Sequence, residues 1–421
     1  MPKRIVYKII GILYLTVLYV PKDLIIDRDA TQWLMLSLIN LFVLSINLFL
    51  YLKGRIKPFV TPISFKILTG LFIWASLSII YTLSIQATIV DLSRFLIYLT
   101  TFYNLLVLFK ELQLSIKHLS IVFTILFIYE IYFPLKVILE ILQNISFDND
   151  LANLLQGKAS NKNITSFSIA LKIPFLIYLY FKSEKKIIKI GVLGLISLAY
   201  VMLNFLDTRA ITLANYLILI LLIFNLVLNF KKSNFILTSI LILAITLSFN
   251  IPSLLNDKRT DKNIELVKIS SDRDESSNQR LRFYKAGISQ IVKNPIIGVG
   301  FGNWKLESIK YDKNSVKEYI VPYHMHNDFL QFGAELGIIG MFTYLAFFIS
   351  TIFYYLKNVL LSQKLKLNIF TTITLVFFIY FFIDSNLNFP FARPMIFLQF
   401  LIFLSFLENE ILIKKTWSIF Y

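Results

Sequence analysis

Apolar runs of about 20 residues recur along this chain, and that recurrence leaves few ways to fold it. A segment of that length crosses a bilayer as an α-helix, which closes its backbone hydrogen bonds internally. The runs are too long and too uniformly apolar for the alternating strands of a membrane barrel. Apolar windows predict about twelve spans, with expected bounds good to a few residues. The first six lie near 5–20, 32–52, 67–84, 92–109, 119–142 and 164–181. The second six lie near 190–206, 210–230, 234–249, 336–356, 367–383 and 394–413. The expected fold class is an all-α polytopic membrane protein. The first run ends Leu-Tyr-Val-Pro-Lys-Asp without a small-x-small cleavage site, so it reads as a retained span rather than a cleaved signal.

The formal charge of +17 would suggest a nucleic-acid partner in a soluble protein. Here the basic residues alternate with the spans, so no nucleic acid is expected. Every second junction, beginning at the N-terminus, holds Lys3, Arg4 and Lys8, then Lys53, Arg55, Lys57 and Lys66, then Lys110 and Lys117. The series continues with Lys182, Lys185, Lys186 and Lys189, with Lys231 and Lys232, with Lys357, Lys364 and Lys366, and with Lys414 and Lys415. The intervening short junctions hold only Lys22, Arg28, Arg94, Lys158, Lys162, Arg209 and Arg393. Because positive charge marks the cytoplasmic side, both termini are expected there. Residues 1–249 then carry nine spans, 250–335 form one large loop on the opposite face, and 336–421 carry three spans and a short cytoplasmic tail. The chain has no cysteine, which excludes disulfides, thiol nucleophiles and cysteine-bound metals.

A loop of that length in a compact protein is usually functional. Its first part, Asn256 to Gln279, is charged and rich in Ser and Asp, and reads as a mobile stretch. From Arg280 the pattern turns helical, with Phe283, Ile288 and Ile291 able to share an apolar side and Pro295 as a stop. Arg280 and Tyr284 are four apart and share a face. Arg209, in the tight turn Leu-Asp-Thr-Arg-Ala, fits either a snorkelling loop arginine or an anion ligand whose planar guanidinium offers paired donors. Gly298-Val-Gly-Phe-Gly-Asn303 fits either a tight turn or a nest of backbone amides for phosphate. No strand precedes it, so the dinucleotide fingerprint does not apply.

Two of the three histidines lie in His324-Met-His-Asn-Asp328, at the start of a helix. Alternation in an extended segment would put His324, His326 and Asp328 on one side. A helix beginning near Asp328 breaks that alternation and no fourth ligand is evident, so no metal is expected. His326 instead suits a proton acceptor, with His324 as a neighbour, because imidazole titrates near neutrality. Asn327 or Asp328 can cap the helix, and Gly333 and Gly337 put small residues on one side of it. Asp-x-Asp triplets at Asp27, Asp148 and Asp272 lie in polar segments and carry no distinct signal.

Taken together, Asp207-Thr-Arg-Ala210, Arg280 with Tyr284, Asn294-Pro-Ile-Ile-Gly-Val-Gly-Phe-Gly-Asn303 and the stretch from His326 to Gly340 resemble the O-antigen ligase and O-antigen polymerase superfamily of bacterial surface polysaccharide assembly. The resemblance is densest from about 200 to 345 and departs at Asp-Thr-Arg, where the family usually has Thr-x-Ser-Arg. It implies a metal-independent, cofactor-free, membrane-embedded glycosyltransferase of the bacterial inner membrane, with its large loop and active site facing the periplasm. The donor implied is a glycan on undecaprenyl pyrophosphate, and the acceptor is lipid A-core for a ligase or a growing glycan for a polymerase. By the same resemblance Arg209 and Arg280 would hold the pyrophosphate and His326 would deprotonate the acceptor. Tyr284, His324 and Gly300 would support them. A transporter or flippase of an anionic lipid-linked glycan is the alternative of another class, with Glu130 and Glu140 as its candidate intramembrane acids.

Overall fold

The computed structural model describes residues 3–20, 28–56, 61–144, 161–206, 208–228, 263–312, 323–360 and 369–419, with a few positions between 235 and 243. These residues form helices and turns, with no strand among them. In chain order the helices are α1 (Lys3–Thr16), α2 (Arg28–Leu52), α3 (Ile63–Leu77), α4 (Ile85–Leu112), α5 (Ile116–Asn144), α6 (Lys162–Ala170) and α7 (Ile173–Lys182). They continue as α8 (Lys186–Phe205), α9 (Arg209–Leu228), α10 (Asn263–Lys293), α11 (Trp304–Asp312), α12 (Asp328–Leu360), α13 (Ile369–Leu387) and α14 (Pro394–Ile419).

Among the described residues, nine stretches are long and apolar enough to cross a membrane, and Arg209–Phe224 is a shorter apolar helix. The protein is thus a multi-pass helical membrane protein. The first expected span corresponds to α1, which is 14 residues long and continues into a 3₁₀ turn at Val17–Tyr19. The expected span 234–249 lies largely outside the described residues. Helix α4 begins earlier than its expected bound near 92, at Ile85, because Ser84 caps it by accepting from the Ala87 amide. The large loop also differs from expectation. Its helix α10 starts at Asn263 rather than near Arg280, and neither proline nor glycine interrupts 257–286. Ile288 is exposed. The buried side of α10 runs instead through Phe283, Gly287, Gln290 and Ile291.

Helix α14 is the central post. Of its apolar stretch 89% is buried, against 33% for α2, which lies at the periphery. Aromatic rings fill the space around it, with Phe381 stacked on Phe400 at 3.9 Å and Phe175 edge-on to Phe403 at 5.2 Å. Polar contacts fix helix register where apolar packing alone would slide. Tyr14 donates to Asn40 Oδ1 at 2.7 Å, Tyr7 to Asn47 Oδ1 at 2.9 Å, and Asn47 to Asn104 Oδ1 at 3.3 Å, tying α1, α2 and α4.

The two ends of the bundle differ in chemistry. At one end Lys3 donates to the Arg55 carbonyl at 2.9 Å and pairs with Glu111, bringing three lysine-rich junctions together. The starts of α2, α6 and α9 and the α13–α14 connection lie at the other end, with the loop elements.

Between them sits a buried ion pair. Lys172, at the break between α6 and α7, is fully buried and donates to Glu130 Oε2 at 2.7 Å, to Ser168 O at 2.8 Å and to Gln399 Oε1 at 2.9 Å. Glu130 is thus held in an ion pair inside the bundle. Breaking one half leaves a charge buried without its partner. Lys172→Met is therefore expected to destabilise by roughly 3–5 kcal/mol, and the double change with Glu130→Leu to recover most of that. Thermal unfolding in detergent checks the order, and a double variant no more stable than the single one contradicts it.

Candidate active site

The loop is docked by a break in α12. Gly337 has φ +70 inside the helix, which interrupts the i to i−4 ladder. The carbonyls exposed there find other donors: Ala334 O accepts from the Val299 amide at 3.1 Å, Glu335 O from the Gly300 amide at 2.9 Å, and Leu336 O from Trp74 Nε1 at 3.0 Å. Ile338 N returns the exchange to Pro295 O at 2.7 Å. The Glu335 carboxylate, also buried, accepts from the amides of Gly302 at 2.9 Å and Trp304 at 3.2 Å. Trp304 opens α11, so this acid satisfies amides left without a partner at a helix N-terminus.

Two expectations are sharpened here. The glycine-rich segment does form an amide nest, with positive φ at Gly298, Gly300 and Gly302, but Glu335 fills it. Gly300 donates its amide to α12, and a Cβ there would lie 2.5 Å from the Thr82 hydroxyl, so its part is close packing rather than anion binding. Gly333 faces Ile291 of α10 as a small residue should. Gly337 does not merely thin the helix surface but breaks it, and a Cβ there would lie 2.0 Å from Ile296 O. The spacing of two glycines reads the same in a continuous helix and in a broken one.

Nine residues before Glu335, this docking presents His326. Asn327 is the N-cap of α12 and accepts from the Leu330 amide at 2.9 Å, while Asp328 accepts from the Phe391 amide at 3.1 Å. Met325 is fully buried against Phe283, Trp304 and Ala334, so the two histidines on either side of it face the other way. His326 has φ +57, a left-handed conformation that is unusual outside glycine and recurs at functional sites. The Tyr284 hydroxyl lies 3.0 Å from the His326 carbonyl and 3.0 Å from that of Asn386, and holds this turn in place. One ring then gathers the side chains. Phe389 stacks on His324 at 4.3 Å, meets His326 edge-on at 4.8 Å, and has the Arg393 guanidinium over its face at 4.6 Å. Arg393 is anchored in turn by Asp29 of α2.

The sequence-predicted residues come together electrostatically. Arg280 stands one turn before Tyr284 on α10. Its pKa is lowered by burial and also by the charge of Arg209, which is exposed at the start of α9. Burial, with Arg280 and Arg393 beside it, pushes the His326 imidazole down to about 4. Burial and Arg393 push His324 down to about 3. Neither imidazole Nδ1 has a hydrogen-bond partner among the described residues. Aromatic contacts therefore orient His326 in place of a carboxylate. A cleft opens onto it, lined also by Asn161, Asn163, Asp384, Asn388 and Arg393. Arg209 and Arg280 are not part of this lining. Among the described residues no group of three or more His, Asp or Glu converges as a cation site.

Sequence reasoning missed Arg393. It was read only as one charge in a short junction, although the argument applied to Arg209, an arginine at the edge of apolar spans that needs a reason, applies to it equally.

Residues 192–345 match the O-antigen ligase family. Over this stretch the chain is similar to O-antigen ligases. The matched region runs from α8 into α12 and contains Arg209, Arg280, Tyr284, His324 and His326, whereas Arg393 lies beyond it. Curated relatives agree. A Rickettsia conorii protein named "Putative polysaccharide ligase" is 30% identical over 118 residues, and one of the same description from Rickettsia typhi is 31% identical over 123 residues. Each alignment spans 27% of this chain and 27% of the relative.

A depressed imidazole has a definite consequence. Between pH 6.5 and about 4 the unfolded chain holds a proton at this position that the folded site rejects. That part of the stability is present above pH 6.5 and is lost as pH falls toward 4. An NMR titration of His326 in the ligand-free protein is expected to have its midpoint near pH 4, and a midpoint at or above 6.5 contradicts the site electrostatics.

Proposed function

We propose that this protein is an O-antigen ligase-type glycosyltransferase, moving a glycan from undecaprenyl pyrophosphate to an acceptor hydroxyl at the periplasmic face of the bacterial inner membrane. The observation that carries this reading is the convergence of Arg209, Arg280 and His326 at one end of the bundle. The lysine bias of the opposite end supports cytoplasmic termini and a periplasmic site.

Pyrophosphate leaves readily once its charge is neutralised, and two guanidinium groups supply paired donors for it. The acceptor oxygen bonds to the anomeric carbon as the bond from that carbon to the pyrophosphate oxygen breaks. His326 takes the acceptor's proton, and undecaprenyl pyrophosphate departs with the electron pair. In the empty site His326 is a weak base, because burial, and then the positive charge of Arg280 and Arg393, disfavour its protonated form. A bound pyrophosphate offsets that charge and draws the imidazole back toward its ordinary basicity. The base is thereby coupled to the donor, which limits proton transfer before the donor arrives. Tyr284 holds the His326 backbone. The acceptor is lipid A-core for a ligase or a growing glycan for a polymerase of the same architecture.

Replacing His326 with alanine is expected to lower transfer by about 100-fold or more in a purified system with lipid-linked donor. Arg280→Ala is expected to weaken donor binding by about tenfold or more, as loss of a charged hydrogen-bond partner does. Full activity of the first variant, or unchanged donor affinity of the second, contradicts the assigned roles.

A further inference from the structure

A second cleft lies on the other side of the His324–Asp328 segment, and nothing in the proposed reaction uses it. It is lined by His324 rather than His326. Its remaining wall is of mixed chemistry. Trp33 of α2 and Phe391 of the α13–α14 connection supply aromatic surface, while Asp91, Arg94 and Gln331 supply planar polar groups. Arg94 Nη1 pairs with Asp91 Oδ1 at 2.8 Å, and its guanidinium lies 5.8 Å from the Trp33 ring centroid. His324 Nδ1 is buried and has no hydrogen-bond partner among the described residues.

The charge balance separates this cleft from the arginine-rich site. Asp91, Asp328 and Glu335 all line it, against Arg94 as its cationic side chain. Arg94 is already paired with Asp91, so its guanidinium is not free for a phosphate. Carboxyl, amide and imidazole groups suit a ligand rich in hydroxyls, to which they can donate or accept. Aromatic surface beside planar hydrogen-bonding groups matches a pyranose ring, with its apolar C–H faces and equatorial hydroxyls.

We propose that this cleft binds a sugar ring of a glycan chain, one unit removed from the ring at which transfer occurs. The inference rests on the proposed glycosyl transfer for its choice of ligand. The His324–Asp328 segment then serves both clefts, His326 toward the reacting sugar and His324 toward its neighbour. The ring belongs either to the donor glycan or to the acceptor, and kinetics tell them apart.

Arg94 is the residue to change, because its side chain is 43% exposed and replacement leaves no cavity. Arg94→Gln is expected to raise KM about tenfold for one substrate while kcat falls much less, and the substrate affected identifies the source of the ring. Arg94→Lys, which retains the charge opposite Asp91, is expected to recover part of the loss and serves as the control for folding. Saturation-transfer NMR reads binding without turnover, using the protein in nanodiscs with soluble oligosaccharide released from the donor or from the acceptor. Wild type is expected to show transfer to one of them, and Arg94→Gln to lose it. Unchanged KM for both substrates with undiminished saturation transfer in Arg94→Gln would overturn the proposal. Saturation transfer in a wild-type protein that moves no glycan would sustain the cleft and overturn the reaction.

Discussion

The break in α12 at Gly337 is the constraint on which the rest of the site depends. A continuous helix would keep the carbonyls of Ala334, Glu335 and Leu336 in its own ladder. The break releases them to Val299, Gly300 and Trp74, and brings Glu335 onto the amides of Gly302 and Trp304. Loop, kinked helix and α3 are thereby locked as one unit. The segment from His324 to Asp328 projects from that unit, and α10 crosses it so that Tyr284 reaches the His326 carbonyl.

Upon this scaffold the site is electrostatically one-sided. Arg280 and Arg393 flank His326, Arg209 influences Arg280, and Phe389 packs both imidazoles against the Arg393 guanidinium. Such an arrangement is costly while empty, because like charges are gathered in a partly buried place. An anionic ligand relieves the cost. The second cleft has the opposite balance, with more carboxyl groups than cations, and the two share a single strained backbone segment.

Much of this was legible in the chain. Apolar run length alone implied a helical membrane protein, and the spacing of Arg280 and Tyr284 correctly placed both on one helix. Pro295 as a stop and Asn327 as a cap were readable because their chemistry is local. What escaped was long-range. The glycine-rich segment looked like an amide nest and is one, but nothing local says that a carboxylate 33 residues downstream occupies it. Arg393 looked like an ordinary junction charge until Phe389 and Asp29 placed it. Ile288 fitted the apolar period of α10, yet burial follows Phe283, Gly287 and Ile291, because Met325 packs against Gly287.

In the proposed reaction Arg209 and Arg280 hold one pyrophosphate beside His326. The decisive experiment is a structure of the protein with a non-transferable analogue of the lipid-linked donor. Phosphate oxygens are expected within hydrogen-bond distance of both guanidinium groups, with the anomeric carbon facing the His326 imidazole. A pyrophosphate seated away from both arginines, or an anomeric carbon on the far side of the helix from His326, would contradict it.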